Sequence, residues 1–282
     1  MIVVITGASG FVGQRLSNLL RAEGHDVRAA SLRRMLPPGT FRDCDAVVHL
    51  AGEPVAQRWT PAAQKRIRDS RMNGTRTLVE TLAKLDRKPK VLVSASAVGY
   101  YGSRADEMLT ETSAPSSDFL GRVAMAWEDE ARKAEALGVR VVIPRIGVVL
   151  GRGGGALAKM LLPFRFCLGG RLGTGMQWMS WIHIDDLCSL ISFAIRHEDV
   201  VGPVNAVSPD PVTNADFTRA LGRAVHRPAI CPVPAIALKV FFGSMSTILL
   251  GGQRVLPEAA RRSGFQFKYP DLESALREAV PV

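Results

Sequence analysis

The turn "TGASGFVG", set between the apolar run "IVVIT" and a segment of helical period, limits this chain's fold more than any other feature. Gly7, Gly10 and Gly13 stand three apart. Gly7 permits a tight turn, Gly10 lets a ligand approach the backbone, and Gly13 lets the helix pack closely on the strand. Glycine spacing alone is a weak signal, but a strand before it and a helix after it supply the required context. The start of such a helix presents free N–H groups and the positive end of its dipole, which suits a pyrophosphate.

Beyond the turn, apolar runs of strand length ("DVRAAS", "AVVHLA", "KVLVSAS", "VRVVIPRIGVVL") alternate with segments of helical period at 11–23, 61–85 and 118–137. Unbroken apolar runs are expected of parallel strands covered on both faces. Strict alternation predicts an α/β fold, a Rossmann-type doubly wound parallel sheet. After Leu150 the texture becomes Gly-rich and Pro-punctuated, with helical segments around 155–166, 185–196, 214–225, 235–250 and 271–279. The expected division is a nucleotide-binding domain over 1–150 and a smaller C-terminal substrate lobe over 151–282, with 203–208 returning a strand to the sheet.

Composition narrows the partners. With 282 residues, 47% of them apolar, a chain of this size buries on the order of three quarters of its unfolded surface. Met1 runs into "IVVITG" without a basic n-region and long apolar stretch, so a cytoplasmic location is expected. The longest apolar stretch, "PAIALKVFFGSMSTILLGG", is broken by Lys239, Gly243, Ser244 and Ser246. It fails the need for about 20 predominantly apolar residues in a span, so a buried or half-buried helix pair is expected and no membrane partner. Cys44, Cys167, Cys188 and Cys231 lie far apart in sequence, suggesting neither a metal site nor a disulfide framework. The formal net charge of +10 suits an anionic cofactor or substrate; nucleic acid is the weaker alternative, because no stacking-aromatic surface accompanies the charge.

The end of the second apolar run bears on the cofactor. A site for NAD wants Asp or Glu there to hold the ribose 2′-hydroxyl, whereas "AASLRR" offers Ser31, Arg33 and Arg34 and no acid. Arginine suits the 2′-phosphate of NADP through a charge-assisted hydrogen bond.

"TGASGFVG", "HLAGEPV", "SASAVGYYG", "DFLGRVAMAWE", "SWIHIDDL" and "GQRVLPEAARRSGFQFKYP" together resemble the atypical, epimerase-like branch of the extended short-chain dehydrogenases/reductases, over essentially the whole chain. The resemblance implies bound NADP, with Gly7, Gly10, Phe11, Val12 and Gly13 at the pyrophosphate and Ser31 with Arg33 at the adenosine phosphate. Leu32 separates these two, where the branch often has arginine directly after the serine. It further implies that Leu50, Ala51 and Gly52 lie along the cofactor and that Leu150 borders the nicotinamide. Arg71 takes the place of the Asn in the N-V-x-G-T motif of typical members.

Reductases of the extended type use a Ser, a Tyr and a Lys four residues after that Tyr for proton transfer, the cation lowering the tyrosine's pKa. Ser96 matches the serine. No Y-x-x-x-K occurs: four residues after Tyr100, Tyr101 and Tyr269 stand Arg104, Ala105 and Glu273, and the helix that should carry the pair has Leu120 and Ala124. Ser96, Tyr100 and Tyr101 remain the candidate catalytic residues, on the strand end and loop where ligands meet such sheets. Glu107 and Glu111 read as surface acids, and Asp185 as a helix N-cap rather than part of a metal site with His183. Two functions are consistent with these residues: an NADP-dependent oxidoreductase or epimerase-like enzyme on a small carbonyl or hydroxyl substrate, for which the net charge leaves room to be anionic, or a catalytically silent NADP-binding sensor or scaffold.

Overall fold

The structure, a computed structural model, describes residues 1–31 and 39–280. In the first half, β1 (Ile2–Thr6), α1 (Phe11–Ala22), β2 (Asp26–Ala30), β3 (Ala46–His49), α2 (Pro61–Ala83), β4 (Val91–Ser94), β5 (Ser96–Ala97) and a 3₁₀ turn (Val98–Tyr101) lead to β6 (Met108–Leu109), α3 (Phe119–Arg132), β7 (Arg140–Ile146) and β8 (Val148–Leu150). Then come α4 (Gly155–Arg165), β9 (Trp178–Met179), β10 (Trp181–His183), α5 (Ile184–Arg196), β11 (Gly202–Ala206), β12 (Val212–Thr213), α6 (Asn214–Ala224), α7 (Ala235–Phe242), α8 (Ser246–Leu250), β13 (Arg254–Val255), α9 (Glu258–Arg262) and α10 (Leu272–Ala279).

The main sheet runs β11-β7-β4-β3-β1-β2, with β5 also paired to β7, and its pairs are parallel. From β1 the chain steps outward to β2 and then crosses back to β3 on the other side. That reversal opens a crevice beyond the carboxyl ends of β1 and β3, the place where such sheets bind ligands. The strands alternate two buried faces. Val3, Ile5, Val48 and Val93 meet Leu16 and Leu20 of α1 and Leu187 and Ile191 of α5. Val4, Val47, Leu92 and Ile143 meet Leu78 and Leu82 of α2 and Ala131 of α3. Each such side chain contributes about 1.5–3 kcal/mol by leaving water, which explains why every strand is a continuous apolar run.

Two sequence expectations change. "VRVVIPRIGVVL" is not one strand: the chain breaks at Gly147, and β8 leaves the main sheet to pair with β10. A Cβ on Gly147 would lie 2.5 Å from Ser180 O, so the crossing of backbones there demands glycine. Segment 235–250 does form a helix pair, α7 and α8, divided at Gly243 (φ 58°), but α7 is largely exposed, with Leu238 as its buried residue. The part of the chain after Leu150 that returns to the nucleotide-binding half includes α5 as well as β11. The remaining lobe has its own core, in which Leu157, Leu161 and Phe164 of α4 meet Phe217, Leu221, Leu272 and Leu276. Among the described residues no helix is long and apolar enough to cross a membrane.

Candidate functional site

The site begins with a helix that lacks a cap. Thr60, Asp118, Thr213 and Asp271 each accept a backbone N–H at the start of α2, α3, α6 and α10. Gly10, at the start of α1, offers no side chain, and no acid occupies the first turn. The N–H groups of Phe11, Val12 and Gly13 therefore point outward without a protein acceptor among the described residues, an arrangement that favours an anion. The loop is tightly wound: Gly7 has φ 76°, and a Cβ on Gly13 would lie 2.2 Å from Gly7 O. A Cβ on Gly10 would stand 3.2 Å from the same oxygen and project where a pyrophosphate would lie. These residues fit a dinucleotide. Beyond Gly7 the chain meets Leu50 and Ala51, whose backbone a Cβ on Gly7 would approach to 2.9 Å.

Phe11 links the two halves. Cβ atoms on Gly154 and Gly155 would come within 2.6 and 2.8 Å of its ring, so the glycines of "GRGGG" make room for it. Arg15 of α1 donates to Asp185 at 2.7 Å. The expected cap at Asp185 is thus corrected: the ring of His183 caps α5, its Nδ1 accepting from Asp185 N at 3.2 Å, while its Nε2 donates to Glu278 at 2.8 Å.

Beneath the crevice floor lies a buried polar layer. His49 is hydrogen-bonded to Thr6 Oγ1 at 2.6 Å and to Thr75 Oγ1 at 3.0 Å. Burial first, and the nearby Arg71 cation second, depress its pKa to about 4, so it is neutral. Arg71 sits under the loop after β3, its guanidinium about 3.3 Å from where a Gly52 Cβ would be and 5.0 Å from the Trp127 ring centroid. It donates to Glu53 O and Ile67 O. Burial lowers its pKa to about 10, against the pull of Glu53, and leaves it charged. Arg71 braces Gly52 from below.

The proposed catalytic residues sit on a second network. Ser96 Oγ donates to Glu128 Oε1 at 2.7 Å. Arg145 grips the same carboxylate through Nε at 2.8 Å and Nη2 at 2.9 Å, and its Nη1 donates to the Tyr101 hydroxyl at 2.9 Å. Tyr101 donates onward to Asn205 Oδ1 at 2.6 Å. Burial opposes the charge of Arg145, but the hydrogen bonds and attraction to Glu128 outweigh it and raise its pKa. Burial, partly offset by Arg145 and Asn205, pushes the Tyr101 phenol up to about 12. Tyr101 has no exposed surface and both sides of its hydroxyl are engaged. It is a strut of the sheet edge, and the expectation of a catalytic Tyr101 is corrected on that ground.

Tyr100 differs. It is half-buried, its ring lies 3.5 Å from the Arg145 guanidinium, and its hydroxyl has no partner among the described residues. The neighbouring Gly99 packs on Leu120, at the helix position where the reductase tyrosine is missing. Arg104, the cation four residues on, is turned away toward Glu107 and Ala114 O. The cation beside Tyr100 is therefore Arg145, from β7.

Other expected residues fare unequally. Leu150 is fully buried in the lobe core and has no surface to offer a nicotinamide, which corrects that assignment. Ser31 is exposed at the end of β2, and Arg33 and Arg34 lie outside the described residues. Glu111, expected as a surface acid, accepts the backbone N–H groups of Asn205 and Ala259. Glu128, Arg145 and Asn205 carried no expectation from the sequence. One signal was present: Arg145 interrupts the apolar run "VVIPRIGVV", and a cation inside a covered strand requires a carboxylate partner.

Residues 3–207 match the NAD dependent epimerase/dehydratase family, and residues 233–279 match a domain of unknown function, DUF1731. Epimerase family protein YfhF of Bacillus subtilis is 39% identical over 298 residues, covering 99% of this chain and 98% of the relative. Epimerase family protein SDR39U1 of Homo sapiens is 38% identical, covering 99% of this chain and 100% of that one. A crystal structure of the human protein (isoform 2) with NADPH shares 36% identity, covers 99% of both chains and superposes with a TM-score of 0.91. MoeE5, solved with UDP-glucose and NAD, is 21% identical with a TM-score of 0.78 and shares the fold.

Proposed function

The chain belongs to the NAD dependent epimerase/dehydratase family, and on that premise we propose that it is an NADP-dependent oxidoreductase or epimerase-like enzyme acting on a small carbonyl or hydroxyl compound. The observation that carries the reading is the uncapped, glycine-lined start of α1, whose free N–H groups have no protein acceptor to compete with a pyrophosphate. The relative solved with NADPH supports the choice of cofactor, as does the lack of an acid at Ser31. In this reading Arg33 holds the 2′-phosphate, and a charge-assisted hydrogen bond of about 1.5–3 kcal/mol gives roughly 10- to 100-fold preference for NADPH over NADH. Titration of both cofactors tests this, and tighter NADH binding would refute it.

NADP, when bound, supplies or accepts hydride. The chain's part is to place the substrate and move a proton. Ser96 donates its hydroxyl hydrogen bond to Glu128, which leaves the lone pairs of its oxygen to accept from a substrate hydroxyl. Tyr100 is the nearby hydroxyl without a protein partner, and its proton is the one available to a substrate oxygen. The cation beside the Tyr100 ring, at 3.5 Å, is Arg145 of β7.

One observation favours the silent sensor: Leu120 and Ala124 occupy the usual tyrosine and lysine positions, and Ser96 is only 3% exposed. NADPH oxidation across aldehydes, ketones and nucleotide sugars separates the two readings. Turnover that falls in Tyr100→Phe supports the enzyme. Tight NADPH binding with no turnover on any of them supports the sensor.

A further inference from the structure

The stretch "PAIALKVFFGSMSTILLGG" is too interrupted to span a membrane, yet its helix α7 leaves Ile236 77% and Phe241 73% exposed. This is part of a wider pattern. No aspartate or glutamate occurs between Glu135 and Asp185, nor between Asp216 and Glu258. Among the described residues, the large exposed apolar side chains other than Met1, Met108, Met125 and Val201 all fall within those two acid-free stretches.

The fold brings them together. Cys231 N donates to Gly169 O, Val233 N to Arg171 O and Gly173 N to Val233 O, so the exit of α4 runs beside the approach to α7. Leu162, Phe166 and Leu168 thereby join Ile230, Ile236 and Phe241 on the lobe surface. Arg165, Arg171 and Lys239 stand among them with no ion pair among the described residues. At the edge beside Ile230 lies an open recess of about 690 Å³ lined by Arg219, Arg223, His226 and Arg227. Asp216 and Glu273 partly neutralise Arg219 and Arg223, while Arg227 has no carboxylate partner among the described residues.

We infer that this face of the C-terminal lobe docks peripherally on an anionic phospholipid bilayer, with Phe166, Ile236 and Phe241 entering the interface and Arg165, Arg171, Lys239 and Arg227 meeting headgroup phosphates. Apolar side chains among cations that outnumber the acids Asp216 and Glu273 at their edge match the two layers of such a surface, hydrocarbon beneath phosphate. A second copy of the chain suits the face poorly, because a two-fold interface would press one cationic face against another with few carboxylates to meet it. The expectation of no membrane partner rested on the absence of a span, and lying on a bilayer needs none.

Sedimentation with vesicles of phosphatidylglycerol and phosphatidylcholine, against phosphatidylcholine alone, tests the inference on the full chain. The expected result is binding to the anionic vesicles that weakens as salt rises. F241D is expected to lower affinity about 10-fold or more, the value of one buried aromatic side chain, and K239E about five-fold. Both residues are solvent-facing, so both variants should keep the parent's thermal unfolding midpoint. No binding, equal binding to the neutral vesicles, or binding unchanged in F241D at an unchanged midpoint would overturn the proposal. So would a concentration-dependent dimer that F241D abolishes, which assigns the face to self-association, or binding to polyglutamate without binding to vesicles, which assigns it to an acidic protein.

Discussion

At the carboxyl edge of the sheet, Glu128 and Arg145 hold each other at 2.8 Å with 3% and 2% of their side chains exposed, whereas Arg165 and Lys239 in the lobe stand without a carboxylate partner among the described residues. The nucleotide-binding half contains further pairs: Arg76 with Glu130, Arg87 with Asp45, Arg15 with Asp185. In the lobe, the cations Arg165, Arg171 and Lys239 fall within two stretches of sequence that hold no acid, while Arg219 and Arg223 pair with Asp216 and Glu273. Buried charges must be paired or they cost several kcal/mol, while charges in water carry no such demand. A buried cation such as Arg145 therefore reports on the fold, and the exposed cations of the lobe face are, in the proposal above, left for a partner.

The sharpest way to break this contrast is Glu128→Ala. It strands Arg145 inside the protein and is expected to lower the unfolding free energy by about 3–5 kcal/mol in urea. Replacing the pair together, with Glu128→Leu and Arg145→Met, should recover most of that loss; if the single and double variants are equally unstable, the ion pair is not what holds the sheet edge.

A pH titration probes the same half. The pKa of His49 falls from 6.5 to about 4 on folding, so between those values the unfolded chain binds the extra proton. Stability is then fully present above pH 6.5 and is lost as pH falls toward 4, by about 3 kcal/mol at most. Carboxylates with depressed pKa values, Asp45, Asp69, Glu130 and Asp185, act in the same direction but from pH 4.5 downward. Unfolding measured at pH 7 and pH 5 should show the loss in the parent and not in His49→Gln.

Gly10→Val is milder for the fold and aimed at the ligand. The added side chain projects from the uncapped start of α1, and NADPH affinity is expected to drop about 10- to 100-fold, the value of one lost charge-assisted contact. Unchanged affinity would move the cofactor elsewhere. The smallest effect is expected on the lobe: Arg165→Glu removes no ion pair and should leave the unfolding midpoint at the parent's value. A clear destabilisation would mean that the lobe's cations are structural after all.

Much of the first half was legible because its signals are local. The turn at Gly7 and Gly10, the apolar runs and the helical periods each depend on residues close in sequence, and caps such as Thr60 and Asp118 lie one residue before their helices. The departures came from contacts distant along the chain. Gly147 reads as an ordinary strand glycine until Ser180 O is found beside its α-carbon, and that close approach is what turns β8 out of the sheet. Tyr100 and Tyr101 are neighbours of one type, yet one is half-buried with a free hydroxyl and the other is locked between Arg145 and Asn205. Nothing in "GYYG" distinguishes them.

The sequence by itself determined the parallel sheet, the phosphate turn, the absence of a Tyr-x-x-x-Lys pair and the two acid-free stretches of the second half, because composition, period and spacing are properties of the chain alone. Only the tertiary structure decided that Arg145 is the cation beside Tyr100 and that Leu150 belongs to the core. It also decided that the exit of α4 and helix α7 form one exposed face. Each depends on which distant backbones pack together, since burial and electrostatic attraction act through space and are indifferent to distance along the chain.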